Sequence, residues 1–536
     1  MTLPRSLCAA FFCAVAFWTL VTTALGGEPS ASGVSRVIAM SGQRANGTAN
    51  SFFYAFSSNG GMVNDRGQVA LLAVMTGGSE HNGLGLWSGA SRETLTSVAR
   101  WGQHPPGMPD SVWGDWGFEN VALNNAGELL FTCGVLPAVQ PIESGLWSNS
   151  GGSLRLLGAA RLPLPGIADA PIVERIGTTS SFTDGGLTAF TVTSSGKQTI
   201  WVDAPNRPLR RVISTGDVFP GSWPRFIQSF SGFHVDSSGQ VAVVAQVSPT
   251  SQPIYGIWQE RAGEMQLVAR DGDLAPGAAG RRFREIGSVK FTANGLMAFN
   301  SYVGTGLPGS LERAIFALTA DKSLRLVAMT SSKVNGTDKV FENMFLPSIN
   351  IRGEVAFTAT VFGQPSSIAH ATSVWQEKDG LLRSIVEIGD SAPGVPGAVF
   401  DGFDRIQLND AGDVLFEGML RQGVAGVTSN TSMGLWLSNR HGAISLIARE
   451  GDLFDIDDGP ATNLRRILYI DSISSYGHYD GQRRTLNNRG QVLFWAQFTD
   501  GSSGVLLSRQ IPEPSSYAQV LLALLPVGMT SICRRR

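Results

Sequence analysis

Disulfides are the first thing this chain goes without. Of its four cysteines, Cys8 and Cys13 lie within the first 26 residues and Cys533 at the far end, which leaves Cys133 alone between them. No intramolecular disulfide can form in the body of the chain, so stability has to come from burial rather than from a covalent constraint on the unfolded state. Cys133 follows Leu129-Leu130-Phe131-Thr132 and reads as a small buried hydrophobe. Charge is also scarce, at 16% of residues, against roughly 25% in typical globular proteins. Lys plus Arg at 41 against Asp plus Glu at 43 gives a formal net charge of −2, so there is no basic footprint for nucleic acid. The six histidines, at 81, 104, 234, 370, 441 and 478, show no ligand spacing and read as loop residues. A Gly-rich phosphate loop, a paired-cysteine metal site and a Gly-x-Ser-x-Gly elbow are all missing.

Glycine and apolar residues are plentiful. There are 64 glycines in 536 residues, about 12% where ~7% is usual. Hydrophobic residues make up 43% of the chain, enough for a sizeable core. Turn-rich, helix-poor architecture follows.

Both ends read as processing signals. Arg5, the apolar run from Leu7 to Leu25 and the small residues Ala24, Gly26 and Gly27 have the form of a secretory signal peptide over residues 1–26, with an uncleaved anchor as the other reading. The far end carries Ile511-Pro512-Glu513-Pro514, an apolar stretch from Ala518 to Cys533, and Arg534-Arg535-Arg536. That stretch is short for a span of ~20 residues, and the three arginines would hold its end at the cytoplasmic face. The segment 511–536 resembles the PEP-CTERM sorting signal of Gram-negative bacteria. The resemblance implies that Pro512, Glu513, Pro514, Arg534, Arg535 and Arg536 form a sorting motif. An exosortase would recognise it after export by the secretion machinery, while the 518–533 segment anchors the protein transiently in the inner membrane. The implied destination is the cell envelope or the extracellular surface.

Between the ends, one motif recurs eight times as Asn-x-x-Gly-x-Val-x-Phe, beginning at Asn64, Asn124, Thr183, Asp236, Thr292, Asn350, Asn409 and Asn487. Its glycines are 53 to 60 residues apart, except for a last interval of 78. Asn or Asp opening a type I turn, followed by Gly in the left-handed region, is hairpin chemistry. A second element, Gly-Leu-Trp or a variant, follows each copy and ends in Trp87, Trp147, Trp201, Trp258, Trp375 and Trp436 in six of eight. Such aromatics either pack between repeats or, if exposed, form a sugar-stacking surface. A third element, Val-Ala-Arg-x-Gly-Asp, is clearest at Val268–Asp273 and Ile447–Asp452. Each period therefore holds about four strands, which predicts an all-β fold: a β-propeller-like ring of about eight four-stranded repeats over residues 33–509. The last repeat lacks its third element, and an orphan copy stands at Val34–Gly42. Pairing of the two would close the ring and leave no open repeat.

The repeats resemble the NxxGxVAF tandem-repeat proteins of bacterial envelopes, whose C-terminal anchors vary and include PEP-CTERM. The resemblance implies a class and no reaction. Asp217, Asp273, Asp390 and Asp452, at the end of the third element, are the candidate binding face if equivalent positions share one side of the ring; the plainer reading is that each caps its own turn. No catalytic residue and no metal ligand is assigned. Asp455-Ile456-Asp457-Asp458-Gly459 is a weak calcium-loop candidate without a twelfth-position Glu, and no other cofactor is expected. The expected function is a non-enzymatic binding or scaffold module for exopolysaccharide or an envelope protein. A glycan hydrolase using carboxylates on one face and a purely structural matrix component are the alternatives.

Overall fold

The computed structural model describes residues 36–508, apart from 58–60, 78–82, 138–142, 168–169, 220–225, 249–253, 308, 335–336, 364–370, 458–461 and 473–484. The expected signal peptide, the Pro-Glu-Pro motif, the 518–533 stretch and the terminal arginines lie outside these residues. No helix among the described residues is long and apolar enough to cross a membrane. The described residues form eight antiparallel sheets of four or five strands. Each is a blade of a propeller, numbered 1 to 8 along the chain from the sheet that begins with Phe52–Phe56 to the sheet that ends with Ser503–Leu507. In blade 7 the strands Phe400–Leu408, Val414–Leu420, Met433–Ser438 and Ile444–Arg449 lie side by side in chain order. Hereafter a blade's strands are called first to fourth in that order.

All eight hairpin turns form as the motif predicts. In each, the glycine N–H donates to the carbonyl of the first motif residue, as from Gly67 to Asn64 at 2.9 Å and from Gly490 to Asn487 at 3.1 Å. All eight motif glycines have positive φ, between 71° and 92°, which is why no other residue stands there.

Eight apolar clusters hold the ring, one at each seam between consecutive blades. One joins Ala70, Leu72 and Leu86 of blade 1 to Phe131 and Trp147 of blade 2, and another joins Val69 and Trp87 of blade 1 to Leu493 and Val505 of blade 8. The Trp residues belong to these seams: Trp87, Trp147, Trp258, Trp375 and Trp436 are completely or almost completely buried, whereas Trp201 is half-buried. Cys133 lies in one of the clusters, and burial pushes its thiol far above the ordinary range, so it is an inert core group.

The Gly-x-Trp spacing has a steric cause. Residues two apart on a strand share a face, and each Trp ring lies back over the glycine that precedes it. A Cβ on Gly85, Gly145, Gly256 or Gly434 would meet its own Trp ring at 2.4–2.8 Å. Blade 6 has Ser373 at this position, and its hydroxyl accepts the Trp375 indole N–H at 2.8 Å. Gly434→Ala should therefore force Trp436 off Phe400, which it meets edge-on at 4.9 Å, and cost about 1–3 kcal/mol. Urea denaturation of the variant measures this, and an unchanged midpoint would remove the steric explanation.

Closure occurs as expected. Arg36–Met40 pairs antiparallel with Ser503–Leu507 as the fourth strand of blade 8, with Arg36 opposite Leu507 and Met40 opposite Gly504. Like the fourth strand of every other blade, it carries a bulge, here between Val37 and Ala39.

Candidate functional site

The eight turns meet around the axis, where Asn64, Asn409 and Asn487 line a cavity of about 100 Å³ together with Asp65, Asp184 and Asp410. Each motif Asn is buried; Asn64, Asn124, Asn350 and Asn487 use all four of their side-chain hydrogen-bonding positions, and Asn409 uses three. Asn487 Oδ1 accepts from Arg489 N at 3.0 Å and Gln491 N at 2.9 Å, which closes its own turn. Its Nδ2 donates to Gln491 Oε1 at 2.9 Å and, across the closing seam, to Asn64 O at 2.9 Å. The same outward donation runs from Asn64 to Asn124 O, from Asn124 to Thr183 O, from Asn350 to Asn409 O and from Asn409 to Asn487 O. Turn chemistry is thus half of the motif's role, and the other half is a directional run of amides that crosses five of the eight seams, from blade 6 through blades 7, 8 and 1 to blades 2 and 3.

A second clue to this role lies four residues on. Where the motif opens with Asn, the fourth residue after it is Gln68, Glu128, Glu354, Asp413 or Gln491, an acceptor for the amide. Where it opens with Thr183 or Thr292, that residue is Leu187 or Leu296. His234 serves the Thr-bearing arc. It is not a loop residue as its sequence context suggests, but lies buried at the end of the strand Phe226–Val235. Its Nδ1 meets Ser181 Oγ at 3.1 Å in blade 3 and its Nε2 meets Thr292 O at 2.9 Å in blade 5. An imidazole there spans a joint that the amides do not.

Next to the mouth, the residues that follow the motif Asn residues make a second set of bonds between neighbouring blades. Asp65 N donates to Asn125 Oδ1, Asn125 N to Asp184 Oδ1, Asp410 N to Asn488 Oδ1 and Asn488 N to Asp65 Oδ1, all at 2.7–2.8 Å. Burial, with Asp65 nearby, raises the Asp410 carboxyl above its usual range, against the Ile351 N–H and the Asn488 amide. These carboxylates accept from their neighbours' backbone N–H groups and from the amides of Asn125 and Asn488, and among the described residues no three His, Cys, Asp or Glu converge to hold a metal.

Farther from the mouth, the first strands are irregular. Extra residues interrupt them between Ile176 and Ser180, Ile286 and Val289, and Phe403 and Ile406, and bulges of this kind re-aim side chains. The bulge in blade 7 directs Arg405 to two carboxylates on different strands: Asp471 Oδ1 at 2.7 Å and Glu417 Oε1 at 3.5 Å. Ser472 Oγ donates to the same Glu417 oxygen at 2.5 Å. Burial raises Glu417 to about 6, a shift that Ser472 and Arg405 oppose and that Asp471 and Asp404 reinforce. Asp471 is likewise raised by burial against the pull of Arg405. Two residues before Asp471 on the same strand, Leu464–Ser472, Tyr469 is 47% exposed and lies edge to face with Trp495 at 5.8 Å. The Trp495 indole N–H is buried without a hydrogen-bond partner among the described residues. Asp471, Arg405 and Glu417 all act on Tyr469, and Trp495 stands opposite Asp471 in the strand pairing, with its ring packed against the seam of blades 8 and 1.

The raised Glu417 has a measurable consequence. It holds its proton more readily folded than unfolded, so stability falls as pH rises from its ordinary 4.5 to about 6. Glu417→Gln should be more stable than the parent by about 1–2 kcal/mol at pH above this window and equal to it below. Denaturation midpoints across pH test this. A less stable Gln variant at neutral pH would mean that the Arg405 pair outweighs burial.

The carboxylates singled out from sequence occupy other ground. Asp217, Asp273, Asp390 and Asp452 lie on the crossings from one blade's fourth strand to the next blade's first. Asp217 takes Arg211 at 2.6 Å and Ser214 N at 2.9 Å, Asp390 takes Glu387 N at 2.9 Å, and Asp273 and Asp452 pair with Arg270 and Arg449 at 2.9 and 2.7 Å. No hydrogen bond or ion pair among the described residues joins any two of them. Asp455 Oδ1 accepts from Asp457 N and Asn463 N as a loop cap; Asp458 lies outside the described residues. Glu417, Asp471 and Tyr469 were not legible in advance, because they fall where the strand alternation breaks.

No curated protein matches this chain. Among solved structures it is similar to the Dos1 propeller, at 8% identity over 88% of this chain and 95% of that one, with a TM-score of 0.38. It is also similar to an ulvan lyase of polysaccharide lyase family PL25, at 10% identity over 79% and 95% with a TM-score of 0.30. A third likeness is to TolB from Acinetobacter baumannii, at 11% over 71% and 80% with a TM-score of 0.25. At such identities these are likenesses of fold alone. One family spans the chain: its profile matches residues 22–141 and 117–518, so this eight-bladed ring belongs to the family of unknown function DUF7453.

Proposed function

We propose that this is an exported, surface-sorted protein whose ring binds a glycan on the inner wall at blades 7 and 8. The observation that carries the reading is the half-exposed Tyr469 against Trp495, whose indole N–H has no partner among the described residues, with Asp471 opposite Trp495 and Glu417 within electrostatic reach of Tyr469. Aromatic faces stack on the apolar faces of sugar rings, and carboxylates accept from sugar hydroxyls. A glycan array probed with the mature chain tests this. Tyr469→Ala and Trp495→Ala should each weaken binding about tenfold, or roughly 1.4 kcal/mol. Unchanged binding in both would place the ligand elsewhere.

One observation favours hydrolysis as a second reading. A carboxyl at about 6 can give up a proton near neutral pH, with Asp471 as the second carboxylate. Product release from arrayed glycans, lost in Glu417→Gln, would support it. Neither binding nor turnover would leave the structural matrix role. Surface sorting rests on Pro512-Glu513-Pro514 and Arg534-Arg535-Arg536; an intact mass of the exported protein that still includes the tail would count against processing.

A further inference from the structure

The charges around the inner-wall site select among glycans, an inference that rests on the glycan reading above. Arg405 is the guanidinium at its centre, and it is shared by Glu417 and Asp471. Asp404 acts on both Arg405 and Glu417, and Glu450 acts on Tyr469. Three carboxylates thus surround one guanidinium, and a fourth lies within electrostatic reach. Burial disfavours the charge on Arg405, yet Glu417, Asp471 and Asp404 together overcome that effect and hold it protonated. The site's own cation is therefore already committed, and the surplus is negative.

A uronate, sulfate or phosphate group on a glycan would add a further anion where none can be neutralised. An ammonium group would do the opposite. It would relieve repulsion between desolvated carboxylates, and it would find the faces of Tyr469 and Trp495 as secondary partners. We infer that the site is selective for glycans bearing free primary amines, such as hexosamine units without their acetyl group, with Asp471 and Glu417 receiving the ammonium and Tyr469 and Trp495 receiving the ring.

Calorimetry on the mature chain near neutral pH tests this with four probes: glucosamine oligomers, N-acetylglucosamine oligomers of equal length, galacturonate oligomers, and spermidine. The expected order is glucosamine oligomers tighter than their acetylated form by about tenfold, equivalent to about 1.4 kcal/mol, with galacturonate weakest. In Asp471→Asn the ratio between amine and acetylated forms should fall towards unity. Asp404 is exposed, so Asp404→Asn keeps the fold and should lower the same ratio in the same direction. Equal affinity for amine and acetylated forms, tight galacturonate binding, or a ratio unmoved in both variants would overturn the inference while leaving the glycan reading intact. Spermidine as tight as the glucosamine oligomers would show that the amine alone is read. Silence from every oligosaccharide would overturn the glycan reading, and this inference with it.

Discussion

A chain that begins at Gln43 should fail to fold cooperatively, although it keeps every complete repeat. Val37, Ile38 and Ala39 are wholly buried, and their strand covers the edge of Ser503–Leu507. Burial of Val37 and Ile38 stabilises by about 1.5–3 kcal/mol each, and Ala39 and the hydrogen bonds of the pairing add to that. The total is of the order of an entire domain's stability, roughly 5–15 kcal/mol. The decisive control appends residues 36–42 after Ser508 through a type I turn. There they would form with Ser503–Leu507 the hairpin that the third and fourth strands form in every other blade. The truncated chain should lack a cooperative thermal transition, and the rearranged one should regain it. A truncation that melts like the parent would show that the ring does not depend on this strand.

Asn409→Asp should be the most damaging single change at the turns. The substitution keeps the oxygen that receives Asp413 N, so the turn itself survives. It removes the donations to Asn487 O and Asp413 Oδ2, both at 2.8 Å, and sets a carboxylate against a carboxylate in a buried site. The expected loss is about 3 kcal/mol or more. Asn487→Asp should cost about half as much, because the amide of Gln491 can turn to donate where Asp413 cannot. Paired Asn487→Thr and Gln491→Leu, the combination that stands at Thr183 with Leu187 and Thr292 with Leu296, should be milder than Asn487→Asp. Chemical denaturation of the four proteins gives the ranking. Equal losses for Asn409→Asp and Asn487→Asp would mean that the fourth residue after the Asn is a bystander.

The regular parts of the molecule could be read from the amino acids because each obeys a local rule. Asn and Gly fix the turn, alternation fixes the buried face, and the orphan Val34–Gly42 identifies the closing strand. The run of amides does not follow from the turn rule, which uses only the Asn oxygen, although the matching of Asn with Gln, Glu or Asp four residues on, and of Thr with Leu, is present in the sequence. His234 was hidden by its isolation: what makes it a linker is the arrival of Ser181 and Thr292 from neighbouring blades. The inner-wall site is the least legible part. Arg405 reaches Asp471, 66 residues away, from a strand whose extra residues break the alternation that sequence reading depends on. The carboxylates at Asp217, Asp273, Asp390 and Asp452 follow the repeat and were visible for that reason, yet each is engaged within its own crossing.

The pairing of Arg36 with Leu507 also has a mechanical side. The strand that ends at Leu507 is hydrogen-bonded along both edges, to Arg36–Met40 on one side and Leu493–Phe498 on the other. A pull applied just beyond it, at Ser508, acts along the strand axis and loads both rows of bonds in shear, so that they resist collectively instead of opening one at a time. Whatever tugs the protein from that end draws on a strand flanked on both sides.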